Sequence, residues 1–395
     1  MKVLLCHPGT QHSGTLGAIL NRRNLLGRFY TGFRLKPGSM LEKYLKLSIH
    51  RALDETLAKC TTQLWGPELF GKAAQSLGWR GERLMRVRSR WFQKLVPNRA
   101  IAASDAVIGF DTSSWILARR SQEHGKPFIL DRTAIHRATR ATILATLNPS
   151  GTGVPAATPK PNGVQDELES KEFALASKVV VASRFTERSL LDAGVAAEKI
   201  EVIPYGVNER WFSEGGKHVR SAGKPIFLFV GNITIEKGIG VLLTAWRQLR
   251  ATNAELWLAG DGAGEVLRMA EGVEGVRVLG KLGPDALREV YLKASAFVFP
   301  TFFDGFGLVL LEAMASGLPI IATPNCAAPD LIMDGEAGRI FPVGDSASLC
   351  SAMEDVCLNL PAWIRKGDAA REIARSYLWE AYGSRYADML RKMLA

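Results

Sequence analysis

The stretch that decides the fold is residues 299–319, with the sequence FPTFFDGFGLVLLEAMASGLP. An apolar run at residues 295–300 predicts a buried strand. A turn containing Gly305 and Gly307 follows, and then an unbroken set of helix formers that ends at Gly317. The order is therefore strand, tight loop and helix, with the loop at the carboxyl end of the strand. In open α/β sheets, ligands bind at that place.

Two carboxylates flank this loop, those of Asp304 and Glu312. They are eight residues apart, close to two helical turns, so both side chains can face one crevice. Gly305 and Gly307 let the backbone approach a ligand closely, and the first N–H groups of the helix favour an anion. This combination suits a sugar nucleotide, because amides bind a diphosphate and carboxylates accept hydrogen bonds from hydroxyls. The plain alternative is a helix with an acidic first turn, stabilised by its own dipole.

The string DGFGLVLLEAMASG, which starts at Asp304, resembles the acid-x7-acid signature of the family-4 retaining glycosyltransferases, the glycosyl transferases group 1. The resemblance implies the GT-B fold, an α/β architecture of two Rossmann-like doubly wound domains that face a cleft. It also implies transfer of a hexose-type sugar from a nucleotide-diphosphate sugar with retained anomeric configuration. The family usually has Glu as its first acid. Asp304 keeps the charge but has a shorter side chain.

The resemblance gives roles to residues of the second half. Asp304 would contact the transferred sugar, Glu312 would hold the ribose hydroxyls, and Lys237 would stabilise the departing diphosphate. The family usually has Arg where Asn232 stands, so one of two expected cations is missing and another basic residue or a helix dipole would share its role. Backbone groups around Leu282 would hold the base. The turn adds four predicted donor-binding residues, Gly305, Phe306, Gly307 and Leu308.

The resemblance also implies candidates in the first half. A Pro-Gly pair ending at Gly9 stands where the family usually has a Gly-Gly pair that touches the donor diphosphate or the acceptor, and His12 is a second candidate there. The family often places a sugar-contacting His in the loop after the strand at residues 126–130. Asp131 is nearest to that His in position and His136 in residue type, so both are catalytic candidates. For His12, Asp131 and His136 the alternative is a loop side chain without a chemical role.

The chain has 395 residues, more than one core comfortably supports, so two domains of about 200 residues are predicted. An apolar content of 47% with alternating strand-like and helix-like segments favours a folded α/β protein. We predict an acceptor-binding Rossmann-like domain at residues 1–205, a linker at 206–223 and a nucleotide-sugar-binding Rossmann-like domain at 224–375. A C-terminal helix at 376–395 should pack back onto the first domain.

The five cysteines are scattered without a Cys-x-x-Cys pair, which predicts reduced thiols and neither a disulfide framework nor a zinc site. The apolar run at residues 1–8 is too short for a signal peptide, and no run of about 18 apolar residues predicts a spanning helix. No Asp-x-Asp metal site and no P-loop occur in the sequence. We therefore predict a cytoplasmic protein without a metal or a cofactor, with the nucleotide sugar as a substrate.

The net charge of +11 is concentrated in one region. Residues 22–99 contain 17 Lys and Arg against 5 Asp and Glu, and a basic helical insertion is predicted at residues 33–100. Trp79 and Trp91 interleave there with arginines, which suits an anionic membrane surface and a lipid-linked acceptor at the inner membrane face. The pattern also suits a nucleic-acid backbone, although no nucleic-acid partner is expected, or a solvated basic face of ordinary helices.

The preferred function is that of a retaining, metal-independent glycosyltransferase acting on a glycan, lipid-linked or small-molecule acceptor. The first alternative is another GT-B enzyme, a glycosyl phosphorylase or a sugar-nucleotide epimerase, and nucleotide release that requires an acceptor would distinguish them. The second alternative is a non-catalytic nucleic-acid- or membrane-binding protein. Salt-sensitive binding to nucleic acid without affinity for nucleotide sugars would support that alternative.

Overall fold

The computed structural model describes residues 1–9, 11–34, 55–147, 163–212, 224–250, 253–262, 264–332 and 335–395. Parts of the basic insertion predicted at residues 33–100 and of the linker predicted at 206–223 lie outside these residues. The described residues form two parallel β-sheets, each flanked by helices.

The first sheet contains seven parallel strands. They are β1 (Val3–His7), β2 (Leu26–Thr31), β3 (Thr61–Gln63), β4 (Ala106–Phe110), β5 (Phe128–Arg132), β6 (Lys178–Val181) and β7 (Ile200–Val202). Their order in the sheet is β3-β2-β1-β4-β5-β6-β7. Every residue of β1, β4 and β5 is buried, as expected for parallel strands with helices on both faces.

Nine described helices accompany this sheet. They are α1 (Ser13–Arg22), α2 (Glu55–Lys59), α3 (Gly66–Ser76), α4 (Glu82–Leu95), α5 (Asn98–Ala102), α6 (Trp115–Glu123), α7 (Arg137–Thr146), α8 (Val164–Leu175) and α9 (Arg184–Leu191). Ser183 caps α9, because its hydroxyl accepts a hydrogen bond from the Thr186 N–H.

The second sheet contains six parallel strands. They are β8 (Ile226–Val230), β9 (Glu255–Ala259), β10 (Val276–Gly280), β11 (Ala296–Phe299), β12 (Ile320–Ala322) and β13 (Gly338–Ile340), in the order β10-β9-β8-β11-β12-β13. Its described helices are α10 (Ile239–Gln248), α11 (Gly264–Arg268), α12 (Pro284–Lys293), α13 (Leu308–Ala315), α14 (Ala328–Leu331), α15 (Ser346–Leu358) and α16 (Leu360–Ala374). The strand and helix predicted around residues 299–319 are β11 and α13, and the predicted α/β class with two doubly wound sheets is confirmed.

Helix α16 was absent from the prediction. Its buried positions are Trp363, Gly367, Ala370 and Ala374, and three of these four side chains are small. The hydrophobic periodicity that would reveal a helix is therefore faint, although the spacing of the four positions is helical.

The last helix, α17 (Trp379–Leu394), packs on α1 in the first domain. Gly383 permits the close approach, since a Cβ there would lie 2.1 Å from Cγ2 of Ile19. At the rim, the Arg23 guanidinium donates to the Glu380 carboxylate at 2.6 Å. The end of the chain thus ties the two sheets together.

Within the described ranges, no helix combines the length and the apolar character that crossing a bilayer requires. The same ranges contain no group of three or more His, Cys, Asp or Glu side chains arranged to hold a metal ion.

Candidate active site

Both sheets reverse their strand order at one place, between β1 and β4 in the first and between β8 and β11 in the second. At such a switch point the loops at the carboxyl ends of the strands diverge and leave a crevice for a ligand. The loop after β8 carries Lys237, and the loop after β11 carries Asp304 and the two glycines of the turn. The topology therefore brings together residues that are 67 positions apart in the chain.

Gly305 and Gly307 shape the loop before α13, which we call the elbow (residues 304–308). Gly307 has a left-handed backbone with φ +84°, and an added Cβ would lie 3.0 Å from the Phe299 ring. Gly305 touches the first domain, where an added Cβ would lie 2.1 Å from the carbonyl oxygen of Thr133. The elbow thus needs glycine at one position for its backbone conformation and at the other for contact between the domains.

Hydroxyl groups of the first domain hold the elbow from the other side. Ser183 Oγ and Thr186 Oγ1 donate to the carbonyl oxygen of Gly305 at 2.6 and 2.8 Å. A second contact joins the domains nearby. Arg140 of the first domain forms an ion pair at 3.2 Å with Glu236, the residue that precedes Lys237. The loops of the second sheet are therefore in direct contact with the first domain.

Lys237 and Asp304, both predicted to be catalytic, form an ion pair. Lys237 Nζ lies 2.6 Å from Asp304 Oδ2, and both side chains are about one quarter exposed. The other oxygen, Asp304 Oδ1, accepts from the Phe306 N–H at 3.1 Å. Asp304 thus fixes both the lysine and the start of the elbow, and the Lys237 ammonium remains accessible to an incoming anion.

Two amide groups at the start of α13 are available to a ligand. The N–H of Phe306 is occupied by Asp304, and that of Leu310 by the Gly307 carbonyl. Among the described residues, no acceptor is assigned to the N–H groups of Leu308 and Val309. Since the N-terminus of a helix carries partial positive charge, these amides favour an anion close to the Lys237 ammonium.

Glu312 lies on the first turns of α13 and is largely desolvated. It accepts a hydrogen bond from the Tyr291 hydroxyl at 3.2 Å. Burial raises the pKa of Glu312 to about 7, against the opposing effects of that hydrogen bond and of the Arg210 charge. A carboxyl group with such a pKa changes its charge near neutral pH, so its capacity to accept hydrogen bonds from a ligand depends on pH.

Arg210 was missed by the sequence analysis, which assigned residues 206–223 to a linker. It lies in the short turn Glu209–Trp211, with its guanidinium 5.3 Å from the Trp211 ring centre. Its charge acts on Glu312 although about 100 positions separate them in the chain. Only the tertiary fold brings these two groups together, so no local sequence signal indicates the contact.

Two other predicted donor residues lie nearby without a polar contact to the ion pair. Asn232 is exposed on the loop after β8, and Leu282 is half-buried after β10. Within the described part of the chain, no hydrogen bond joins either residue to Lys237 or Asp304. Their predicted donor contacts stay predictions.

Asp131 and His12 form a buried pair beneath the C-terminal helix. His12 Nε2 lies 3.2 Å from Asp131 Oδ1, and the Tyr382 hydroxyl donates to Asp131 Oδ2 at 3.3 Å. Asp131 is only 1% exposed. The carboxylate is enclosed by the helix that crosses back from the second domain, and its predicted contact with a sugar stays a prediction.

His136 caps a helix and packs against an aromatic ring. Its Nδ1 accepts from the Ala138 N–H and caps α7, and its ring stacks on Phe173 at 5.7 Å. Burial lowers its pKa, which keeps the imidazole neutral. His136 thus serves as a helix cap packed against α8, and its predicted contact with the transferred sugar stays a prediction.

A buried cation that follows β2, Arg34, contacts the loop after β1 and was missed by the sequence analysis. The Arg34 guanidinium donates to the Gly9 carbonyl oxygen at 3.0 Å and to the Ser13 hydroxyl at 3.0 Å. These two hydrogen bonds hold the loop that contains Gly9, a predicted donor-binding residue. Burial and the Arg34 charge lower the pKa of the neighbouring His7 to about 3, so this histidine is neutral.

A polar set after β4 was also missed. The Thr133 hydroxyl donates to Asp111 Oδ1 at 3.0 Å, and Arg132 Nη1 lies 3.6 Å from Asp111 Oδ2. Burial raises the pKa of Asp111. Asp111 directly follows β4, and polar residues just after a strand lie at the edge of the sheet where ligands bind, so that general rule would have found it.

Comparison with known proteins agrees with this arrangement. Residues 224–359 match the family model described as Glycosyl transferases group 1. A phosphatidyl-myo-inositol mannosyltransferase of Mycobacterium leprae is 33% identical over 192 residues, which are 46% of this chain and 50% of the relative. The sulfoquinovosyl transferase SQD2 of Arabidopsis thaliana is 30% identical over 220 residues, 52% of this chain and 42% of the relative. The chain thus spans about half the length of the curated relatives it matches.

Solved structures match over the whole chain. A sucrose-phosphate synthase of Thermosynechococcus elongatus has a TM-score of 0.68 at 19% identity, and the match covers 100% of this chain and 99% of that one. HepE of Anabaena, in complex with UDP and glucose, has a TM-score of 0.68 at 15% identity and covers 99% of this chain and 100% of its own. Residues 224–359 are thus similar to the glycosyl transferases group 1, within a chain that has the GT-B fold.

Proposed function

We propose that this protein transfers a sugar from a nucleotide-diphosphate sugar to a glycan, lipid-linked or small-molecule acceptor, with retained anomeric configuration. The observation that carries the proposal is the Lys237–Asp304 ion pair of 2.6 Å beside the two N–H groups of α13 that have no acceptor among the described residues. A cation, two amides and a carboxylate on two adjoining loops suit a diphosphate joined to a polyhydroxyl ring.

In the proposed reaction, the bond between the sugar anomeric carbon and the diphosphate oxygen breaks, and the acceptor oxygen bonds to that carbon on the same face. The acceptor proton leaves with the diphosphate. Lys237 and the amides of Leu308 and Val309 would stabilise the negative charge that develops on the leaving group. Glu312 would accept hydrogen bonds from the ribose hydroxyls, and Asp304 would bind the transferred sugar and orient Lys237. We propose that these protein groups neutralise the leaving group without a divalent ion.

The named relatives support this substrate class. HepE of Anabaena is described in complex with UDP, with UDP and glucose, and with UDP-glucose. Relatives from Mycobacterium leprae and Propionibacterium freudenreichii are named as phosphatidyl-myo-inositol mannosyltransferases. For this chain we therefore propose a nucleoside diphosphate donor and favour an acceptor carried by a lipid.

The basic helices of the first domain support a membrane location for that acceptor. Helix α4 exposes Met85 and Trp91 between arginines, and Trp79 just before the helix is 52% exposed. Apolar side chains that protrude among cations are typical of a surface that rests on anionic lipid headgroups. We propose that the protein is cytoplasmic and binds peripherally to the inner face of the membrane through this surface.

Thermal shift with a panel of nucleoside diphosphates and their sugars tests the donor, since a ligand that binds the folded state raises its melting temperature. One base should stabilise the protein clearly more than the others. Transfer is then tested by following nucleotide release with and without lipid-linked acceptors, in buffer with and without a chelator. Release that needs an acceptor and survives the chelator supports the proposal, whereas acceptor-independent conversion of the donor would favour the epimerase alternative.

A further inference from the structure

A cavity of about 1020 Å³ lies outside the candidate active site, on the helical face of the first domain. It is a groove between α4, α6 and α8, and none of its lining residues belongs to the elbow or to the His12–Asp131 pair. Since these three helices cover the sheet on the face away from α1 and α17, the groove opens to solvent far from the crossing helix.

One wall of the groove is a row of cations. Arg86, Arg90 and Lys94 recur every four residues along α4, so their side chains lie on one face, and Lys171 of α8 faces them across the groove. In the described part of the chain, no carboxylate lies within ion-pair distance of these four side chains. Four cations without a counter-charge at one cavity form a site for an anion.

Three other lining residues, Asn98, Arg119 and Arg120, are polar and bond to neighbouring protein groups, and the rest are apolar. Leu168 and Leu175 of α8 and Trp115 and Ile116 of α6 line the cavity and are half-buried. An inorganic anion would gain no binding energy from the apolar side chains, and an uncharged hydrocarbon would gain none from the cations. The chemistry that matches both is an amphiphile with an anionic head and an apolar chain.

We propose that this groove binds the phosphate headgroup and the adjoining apolar chain of one anionic phospholipid. The head would contact Arg90 and Lys171, and the chain would lie along Leu168. The rim of the groove supports a lipid, because the lining residues Val87 of α4 and Val164 of α8 are 40% and 54% exposed. A bilayer that covers these side chains would present a phospholipid at the mouth of the groove.

This inference deepens the proposed membrane-bound function and rests on it for the source of the lipid. It adds a saturable site of defined shape to a surface that would otherwise attract lipids by charge alone. The acceptor sugar is placed elsewhere, at the cleft, so the groove would hold the first domain on the bilayer and take no part in the chemistry.

The test uses the full chain and dihexanoylphosphatidylglycerol, a short-chain anionic lipid that stays monomeric, titrated by calorimetry. Dihexanoylphosphatidylcholine tests whether the net negative charge is needed, and inorganic phosphate tests whether the apolar chain is needed. The groove variant is Arg90→Gln with Lys171→Gln, and the matched control is Arg80→Gln with Arg83→Gln. All four side chains are exposed and both variants lose two charges, so neither should disturb folding.

We expect one phosphatidylglycerol per chain, at least tenfold weaker binding in the groove variant and less than a twofold change in the control. Inorganic phosphate and phosphatidylcholine should each bind at least tenfold more weakly. Equal losses in both variants, equal binding of inorganic phosphate, no saturation, or a single-stranded oligonucleotide that competes for the same residues would each overturn the proposal. Stabilisation by uridine diphosphate, measured on the same samples, tests the transferase proposal independently.

Discussion

Lys237 and Asp304 form the smallest unit of the proposed site. The ammonium group is held at 2.6 Å by a carboxylate and also lies 3.4 Å from the Phe303 carbonyl oxygen. These contacts fix its position before any donor binds, so little reorganisation would be needed when charge develops on a leaving diphosphate. Preorganised charge of this kind is usually a large part of catalysis.

Lys237→Ala should lower kcat by about 10²- to 10³-fold, since one charged group that stabilises the transition state is lost. The measurement is steady-state transfer at saturating donor. Lys281→Ala is the matched control, because that lysine is 77% exposed and its Nζ lies 3.9 Å from Asp261 Oδ2. A kcat within threefold of the wild type for Lys237→Ala would remove it from the mechanism.

Glu312 makes the proposed donor binding dependent on pH. Burial raises its pKa to about 7, so the ionised form that accepts hydrogen bonds from two hydroxyls becomes dominant only above that pH. The value of kcat/KM for the donor should therefore rise through pH 7 and level off above it. Glu312→Gln should abolish this rise and lower the plateau about 10- to 100-fold, the loss expected for hydrogen bonds to a charged group.

The pH profile of the Gln variant decides the assignment. A rise with the same midpoint in Glu312→Gln would show that another group titrates.

The stability of the folded protein should also depend on the protonation of Glu312. Because the pKa is higher in the folded state than in the unfolded state, Glu312 stabilises the fold below about pH 4.5 and loses this contribution as the pH rises to about 7.

At the scale of elements, the elbow depends on contact between the domains. Its Gly305 carbonyl is fixed by two hydroxyls from the N-terminal end of α9, and its Cα faces the backbone of Thr133. The loop that would hold the diphosphate is therefore in place only when the first domain is docked against it. Strand, elbow and helix act as one unit with α9.

Gly305→Ala should push the elbow away from the first domain. The new Cβ would lie 2.1 Å from the carbonyl oxygen of Thr133, and a backbone atom cannot rotate aside as a side chain can. We expect transfer to fall by about tenfold or more, with a smaller change in nucleotide affinity. Gly264→Ala is the control, since no atom lies within 4 Å of its added Cβ. Equal activities of the two variants would contradict the role given to the contact.

The elements near the elbow were predictable because local signals agree there. The apolar run, the two glycines and the helix formers between residues 295 and 317 all indicate the same strand, turn and helix. Lys237 and Asp304 were predicted as site residues from a resemblance, but their ion pair was not predicted. The structural contacts of Asp131 and His136 were not predicted either, because the first depends on Tyr382, 251 positions away, and the second on a helix cap.

At the scale of the whole molecule, α17 holds the two domains in one arrangement. It extends from the second domain across α1 and brings Tyr382 onto the Asp131 carboxylate at 3.3 Å. Its packing requires a small residue at position 383, where α1 presents the branched side chain of Ile19. The same helix therefore sets both the stability of the contact and the burial of the His12–Asp131 pair.

Gly383→Ala should destabilise the protein by about 1–3 kcal/mol through overpacking, although Ala is the better helix former. Urea unfolding measures the change. In an Ile19→Ala background the added methyl group has room, so the effect of Gly383→Ala should shrink or change sign. Stabilisation by Gly383→Ala in the wild-type background would show that the two helices adjust freely.

The central claim is that the elbow of the second domain holds the diphosphate of an activated sugar. Hydrogen exchange of the full chain, with and without the nucleoside diphosphate that stabilises it most, tests this claim directly. We predict slower exchange at the amides of Leu308 and Val309, and loss of that protection in Lys237→Ala at equal nucleotide concentration. Stabilisation by the nucleotide with unchanged exchange at these two amides would contradict the account.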